Sequence, residues 1–153
     1  MRLMLVDDDR GCLEGLASAM EPSGHRLELF MSPGQAVDHY SGGDYDVVIT
    51  DIKMPELDGI QLLKKIKTLD DDARVIVMTG YADLETAVAA LNNGAYAFLY
   101  KPVNIAELLE TIEKISAEIE NRERMEKERD DETIEYTKLK KFYADLLQLL
   151  KIK

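Results

Sequence analysis

Five short apolar segments alternating with five helical patterns predict an α/β protein, a doubly wound five-stranded parallel sheet carrying a helical C-terminal extension. Three observations carry this reading. Leu3–Val6, Val47–Thr50, Val75–Met78 and Ala97–Tyr100 are rich in β-branched or aromatic residues and too short for helices, as strands buried on both faces are. Arg26–Phe30 mixes charge into its apolar pattern, which suits a sheet edge. The loops between these patterns are short, and no repeat or low-complexity tract interrupts the alternation.

Each helical pattern has its own start and stop. The first runs from Arg10 to Met20 and is stopped by Pro22 and Gly24. Ser32-Pro33-Gly34-Gln35 opens the second, with Ser as cap, Pro at the first helical position and Gln completing a capping box. Asp58 or Gly59 opens the third, whose inner side carries Ile60, Leu62, Leu63 and Ile66. Asp83 caps the fourth, which Asn92-Asn93-Gly94 ends in a left-handed C-cap. Asn104 caps the fifth, which begins Ile105, Leu108, Leu109, Ile112.

At 153 residues the chain suits one domain with an appendage, and a domain of that size buries roughly 68–70% of its unfolded surface. The formal charge of −11 opposes direct binding of nucleic acid or an anionic membrane, both of which reward basic patches. The single cysteine, Cys12, makes no intramolecular disulfide and no thiolate cage, and reads as a small packing residue. The apolar run after Met1 is too short for a signal sequence, and nothing later approaches a membrane span, so a cytoplasmic setting is expected. Charge is unevenly placed: residues 1–120 carry a net −12 and residues 121–153 a net +1. That shift predicts a compact acidic domain over 1–120 and a mixed-charge extension over 121–153.

Open α/β sheets bind ligands outside the carboxyl ends of their strands. Here those ends carry Asp7, Asp8 and Asp9 after the first strand, Asp51 after the third, Thr79 after the fourth and Lys101 after the fifth. One such residue alone reads as a turn or cap residue. Four coincident strand ends read as a site. Clustered carboxylates raise one another's pKa unless a cation neutralises them, and hard oxygen ligands that leave room for phosphate oxygens suit Mg²⁺. A carboxylate can attack phosphorus to form an acyl phosphate, whose charge a metal, an ammonium and a hydroxyl would balance.

Leu5-Val6-Asp7-Asp8-Asp9, Asp51-Ile52-Lys53-Met54-Pro55-Glu56-Leu57-Asp58-Gly59, Met78-Thr79-Gly80-Tyr81 and Tyr100-Lys101-Pro102 together closely resemble the signatures of bacterial response-regulator receiver domains, over about residues 1–120. The resemblance implies a flavodoxin-like strand order 2-1-3-4-5 and a cis peptide before Pro102. It implies Asp51 as phosphoacceptor and Mg²⁺ held by Asp7, Asp8, Asp51 and the Lys53 backbone carbonyl. Thr79 and Lys101 would receive the phosphate, Thr79 and Phe98 would act as switch residues, and the donor would be a sensor histidine kinase or phosphotransfer protein. Lys53 and Tyr81 flank the acceptor Asp and the Thr by two positions, where side chains can shield an acyl phosphate. His25 and His39 lack a second ligand at metal spacing and read as surface residues, and Gly59 and Gly94 as turn and cap glycines.

Beyond the resemblance, Ile105, Leu108, Ile112, Ile115 and Ile119 keep coiled-coil spacing. From Asn121 to Glu132 the sole apolar residue is Met125, although Glu118/Arg122, Glu120/Arg124 and Glu123/Lys127 support a solvated helix. Apolar spacing returns at Leu139, Phe142, Leu146 and Leu149. These two faces predict a homodimer through the C-terminal helices, or a stripe folded back through a bend near Arg124–Asp131. Three functions compete on these residues: a phosphorylation switch that modifies only itself, an aspartyl-nucleophile phosphatase, and a dimerisation scaffold with a vestigial pocket. Lys53 stands where the phosphatase motif needs a second Asp, and the complete acceptor, acidic and lysine positions oppose the scaffold.

Overall fold

The computed structural model describes residues 1–41, 44–80 and 84–151. Its elements in chain order are β1 (Arg2–Val6), α1 (Arg10–Met20), β2 (Arg26–Phe30), α2 (Pro33–His39), β3 (Val47–Asp51), α3 (Gly59–Leu69), β4 (Val75–Thr79), α4 (Leu84–Asn92), β5 (Ala97–Tyr100) and α5 (Ile105–Lys151). All pairings are parallel, in the order β2-β1-β3-β4-β5. This is the expected doubly wound sheet, with the alternating Arg26–Phe30 strand on its edge. The central strands are buried from end to end, and their unbroken apolar runs serve helix layers on both faces.

Caps hold the helices where their sequences place them. Asp9 accepts from the backbone N–H of Cys12 and starts α1, which gives way to a 3₁₀ turn over Glu21–Ser23 before Gly24 adopts φ 75°. At α2 the Ser32 hydroxyl accepts from the Gln35 N–H. The reciprocal capping box belongs instead to α3, where Asp58 accepts from Gln61 N–H at 2.8 Å and the Gln61 side chain accepts from Asp58 N–H at 3.0 Å. Gly94, at φ 87°, ends α4 with its N–H on the Leu91 carbonyl, while Ala95 N–H reaches Ala90, the paired bonds of a Schellman cap. The Asp83 cap expected for α4 lies outside the described residues.

The chain divides into two compact units, Met1–Lys114 and Ile115–Lys153. The seam expected on α5 is not free for a partner over its first part. Leu108 and Ile112, both within the first unit, have no exposed surface in the single chain. The spacing that reads as a coiled coil is also the spacing of one helix face turned to a core, and the two are indistinguishable without the neighbours. The bend near Arg124–Asp131, one of the two alternatives, is absent, since α5 is one helix of 47 residues.

Candidate functional site

Parallel strands bring their carboxyl ends to one edge, and the register makes that edge chemical. Val6 pairs with Thr50 across β1 and β3, so Asp7 and Asp51 each stand one step beyond it on adjacent strands. Asp51 in turn pairs with Met78, which puts Thr79 one step further along β4. The Lys101 N–H donates to the Thr79 carbonyl at 2.7 Å, extending the β4–β5 pairing to the lysine.

Asp7, Asp8 and Asp51 converge, with one carboxylate oxygen from each within 4.8 Å of the others. Asp7, Asp51 and Thr79 are buried and Asp8 is exposed. Lys101 Nζ lies 2.8 Å from Asp7 Oδ2 and 3.4 Å from Asp51 Oδ1. Burial pushes the Asp51 carboxyl above its ordinary value; the Lys101 ammonium opposes that rise and the Asp7 charge adds to it. Burial also works against the Lys101 ammonium, but its hydrogen bond to Asp7 and the two carboxylate charges outweigh it and raise the pKa. One ammonium thus meets two carboxylates of a cluster of three. That donor set, all hard oxygen with an excess of negative charge, fits a divalent cation of the Mg²⁺ kind.

The three aspartates after β1 do separate jobs. Asp9 is withdrawn from the cluster to cap α1, and the hydrogen bond from the Cys12 N–H holds its carboxyl below the ordinary range. Asp7 Oδ1 accepts from the Asp9 N–H at 2.9 Å, which fixes the carboxylate that Lys101 meets from the other side. Beside this pair a cleft of about 510 Å³ opens between α1 and the segment after β5, with Cys12, Leu16, Pro102 and Val103 on its walls. Cys12 is exposed there, so the expected packing role is corrected: its position on α1 faces the cleft rather than the core.

The family model described as "Response regulator receiver domain" matches residues 3–113. The chain belongs to this family. The receiver domain is 37% identical over 115 residues to the transcriptional regulatory protein ZraR of Escherichia coli K12, a match covering 75% of this chain and 26% of that protein. It is 36% identical to the C4-dicarboxylate transport transcriptional regulatory protein DctD of Rhizobium meliloti, over 71% of this chain and 24% of that one. The chain therefore spans about a quarter of the length of these curated relatives. Among solved structures, the CheY-like receiver domain protein of Methanospirillum hungatei JF-1 superposes with a TM-score of 0.72 at 35% identity, covering 78% of this chain and 97% of that one. Phosphorelay signalling is thus the function of this domain.

Other candidate residues of the receiver domain stand on β5 and in the loops. Lys53 follows Asp51 by two positions in the β3–α3 loop, and its side chain is exposed. Phe98, on β5, is partly buried against the core, with its ring 5.3 Å from that of the exposed Tyr100 in an edge-on arrangement. The Lys101–Pro102 peptide is cis. Tyr81 lies outside the described residues.

Two contributors escaped the sequence reading. A Cβ at Gly59 would overlap the Asp51 carbonyl oxygen and lie 2.8 Å from Ile52 Cα, so the start of α3 is pressed onto the backbone of Asp51 and Ile52. The Gly59 N–H donates to the Ile52 carbonyl at 2.8 Å across the same contact. Thr50, fully buried inside the sheet, turns its hydroxyl onto the Asp51 carbonyl at 2.9 Å. The signal for Gly59 was its place directly after a cap residue, but a cap glycine and a close-approach glycine look alike in sequence.

Proposed function

We propose that the domain accepts a phosphoryl group on Asp51 from a phosphohistidine of a sensor histidine kinase or phosphotransfer protein. The observation that carries this is the position of Lys101 Nζ between Asp7 and Asp51 at the carboxyl edge of the sheet, with Asp8 alongside. In the transfer an Asp51 oxygen bonds to phosphorus as the phosphorus–nitrogen bond breaks, and the leaving imidazole takes a proton from solvent. Asp7, Asp8, Asp51 and the Lys53 carbonyl would hold Mg²⁺, which when bound offsets the charge of the phosphate oxygens. Lys101 supplies a point charge to one phosphoryl oxygen, and the Thr79 hydroxyl donates to another. Thr79 and Phe98 then carry the change outward, shifting a conformational equilibrium rather than turning over a substrate.

The receiver occupies residues 1–120 and the extension 121–153 in this reading. The domain modifies only itself, works in the cytoplasm where its donor resides, and makes no direct contact with nucleic acid or membrane. Among the described residues no helix is long and apolar enough to cross a membrane. The C-terminal helix is where a homodimer would form. The phosphatase alternative loses its support, because the match to the receiver family spans the whole compact unit and position 53 is Lys.

Incubation with acetyl phosphate and Mg²⁺, followed by intact mass, tests the proposal. The chain gains one phosphoryl group and Asp51→Asn gains none. Undiminished labelling of Asp51→Asn would refute the acceptor, and a wild-type chain that neither labels nor binds Mg²⁺ would favour the vestigial scaffold.

A further inference from the structure

The last four turns or so of α5 carry most of the exposed large apolar side chains of the described helix. Tyr136, Leu139, Tyr143, Leu146 and Leu150 alternate at spacings of three and four, so they share one face of the helix. Phe142 and Leu149 border that face on one side and Leu147 on the other. All eight side chains are between 41% and 67% exposed. Each presents on the order of 100 Å², so together they offer roughly 800 Å², the area that one partner contributes to a standard specific interface.

Extending the same frame toward the N-terminus brings Glu132, Arg129, Met125, Arg122 and Glu118 into the seam positions. An apolar contact between copies therefore cannot run the length of the helix, and it stops near Tyr136. Within the apolar part the charges are complementary for one arrangement. Glu135 precedes the first seam residue and Lys140 follows the second, five positions apart. In a parallel, in-register assembly this is the spacing that sets Glu135 of one helix against Lys140 of the next. Both residues are exposed on α5. An anionic lipid surface is the rival occupant for a face bordered by lysines, but the chain's charge of −11 opposes its approach, whereas the Glu135–Lys140 spacing suits contact between copies.

We propose that residues 135–150 of α5 associate with the same segment of other copies as a parallel, in-register helical bundle, and that this segment rather than the Ile105–Ile119 seam is the contact between chains. The assembly rests on the homodimer reading of the C-terminal helix and stands apart from the phosphoryl-transfer reading, because it uses no residue near Asp51. It gathers receiver units at a high local concentration, so that a donor engaging one finds the others close by.

Light scattering and sedimentation of the full chain, with and without acetyl phosphate, test this. The wild-type chain gives an oligomer of defined mass, and Leu146→Glu gives a monomer whose circular dichroism keeps the receiver's unfolding transition. Glu135→Lys raises the dissociation midpoint about tenfold by setting like charges together, and the double exchange Glu135→Lys with Lys140→Glu returns it to the wild-type value. A wild-type chain that stays monomeric at high concentration overturns the proposal. So does an oligomer that survives Leu146→Glu, or a double exchange no tighter than Glu135→Lys, which would remove the parallel register. A monomer that co-sediments with phosphatidylglycerol vesicles gives the face to lipid and also overturns it.

Discussion

A methyl group at position 59 has nowhere to go. The start of α3 meets the Asp51–Ile52 backbone so closely that an added Cβ must displace main chain rather than a flexible side chain. Gly59→Ala is expected to cost about 1–3 kcal/mol in urea unfolding and to slow acetyl phosphate labelling, because the backbone it moves carries Asp51, the proposed acceptor. Gly15, on α1, has open space where a methyl would stand, with nothing within 4 Å, so Gly15→Ala should gain about 0.4–1 kcal/mol in the same measurement. Equal effects at the two positions would mean that the close approach does not govern the loop. At this scale the sequence showed that both positions are glycine but not why. The difference lies in which backbone stands opposite, and that backbone is brought there by the sheet.

At the scale of elements, the edge strand is tied down by charge as well as by pairing. Arg2 on β1 meets Glu28 on β2 at 2.7 Å, the Tyr45 hydroxyl donates to the same carboxylate at 2.5 Å, and the Arg2 guanidinium lies 4.5 Å over the Tyr45 ring. Hydrogen bonds from Tyr45 and Arg2 hold the Glu28 carboxyl below its ordinary value of 4.5. A depressed acid contributes stability that is fully present above its unfolded pKa and is lost as pH falls through the lower folded value. The stability gap between wild type and Glu28→Gln should therefore be constant near neutrality and close as pH drops below about 4.5, read from urea midpoints across pH. A gap independent of pH would leave the carboxylate charge with no part in it.

The long helix makes a second test at this scale. Ile112 has no exposed surface, and Ile112→Ala is expected to cost about 2–5 kcal/mol in the unfolding of the compact unit. Met125, 61% exposed on the same helix, should lose less than about 0.5 kcal/mol when changed to Ala. The sequence pattern ranks both as apolar helix residues. Only the burial of one and not the other separates them.

At the scale of the whole molecule, a cation held at the acidic edge of the sheet would couple its binding to folding. Asp51 lies far in sequence from the adjacent Asp7 and Asp8, so oxygens of all three meet within 4.8 Å only in the folded chain. A ligand that binds the folded state alone stabilises it, by about 2.7 kcal/mol at a hundredfold excess over its dissociation constant. Mg²⁺ should accordingly raise the thermal midpoint of the wild-type chain in a concentration-dependent way, and leave Asp8→Ala nearly unmoved. An equal rise in Asp8→Ala would place the cation elsewhere.

The sequence by itself determined the strand runs, the helix caps and the residue types at the four strand ends, because these follow from local periodicity and backbone preference. Apolar runs flanked by turn residues can become little else, and Asp51, Thr79 and Lys101 sit at strand ends whichever way the strands are ordered. Tertiary structure alone decided that Asp9 turns from its two neighbours to cap a helix, that Gly59 touches the Asp51 backbone, that Cys12 faces a cleft, and that the first part of the α5 seam is already covered. Each of these depends on what stands across from a residue, and distant segments meet only once the sheet has set their register.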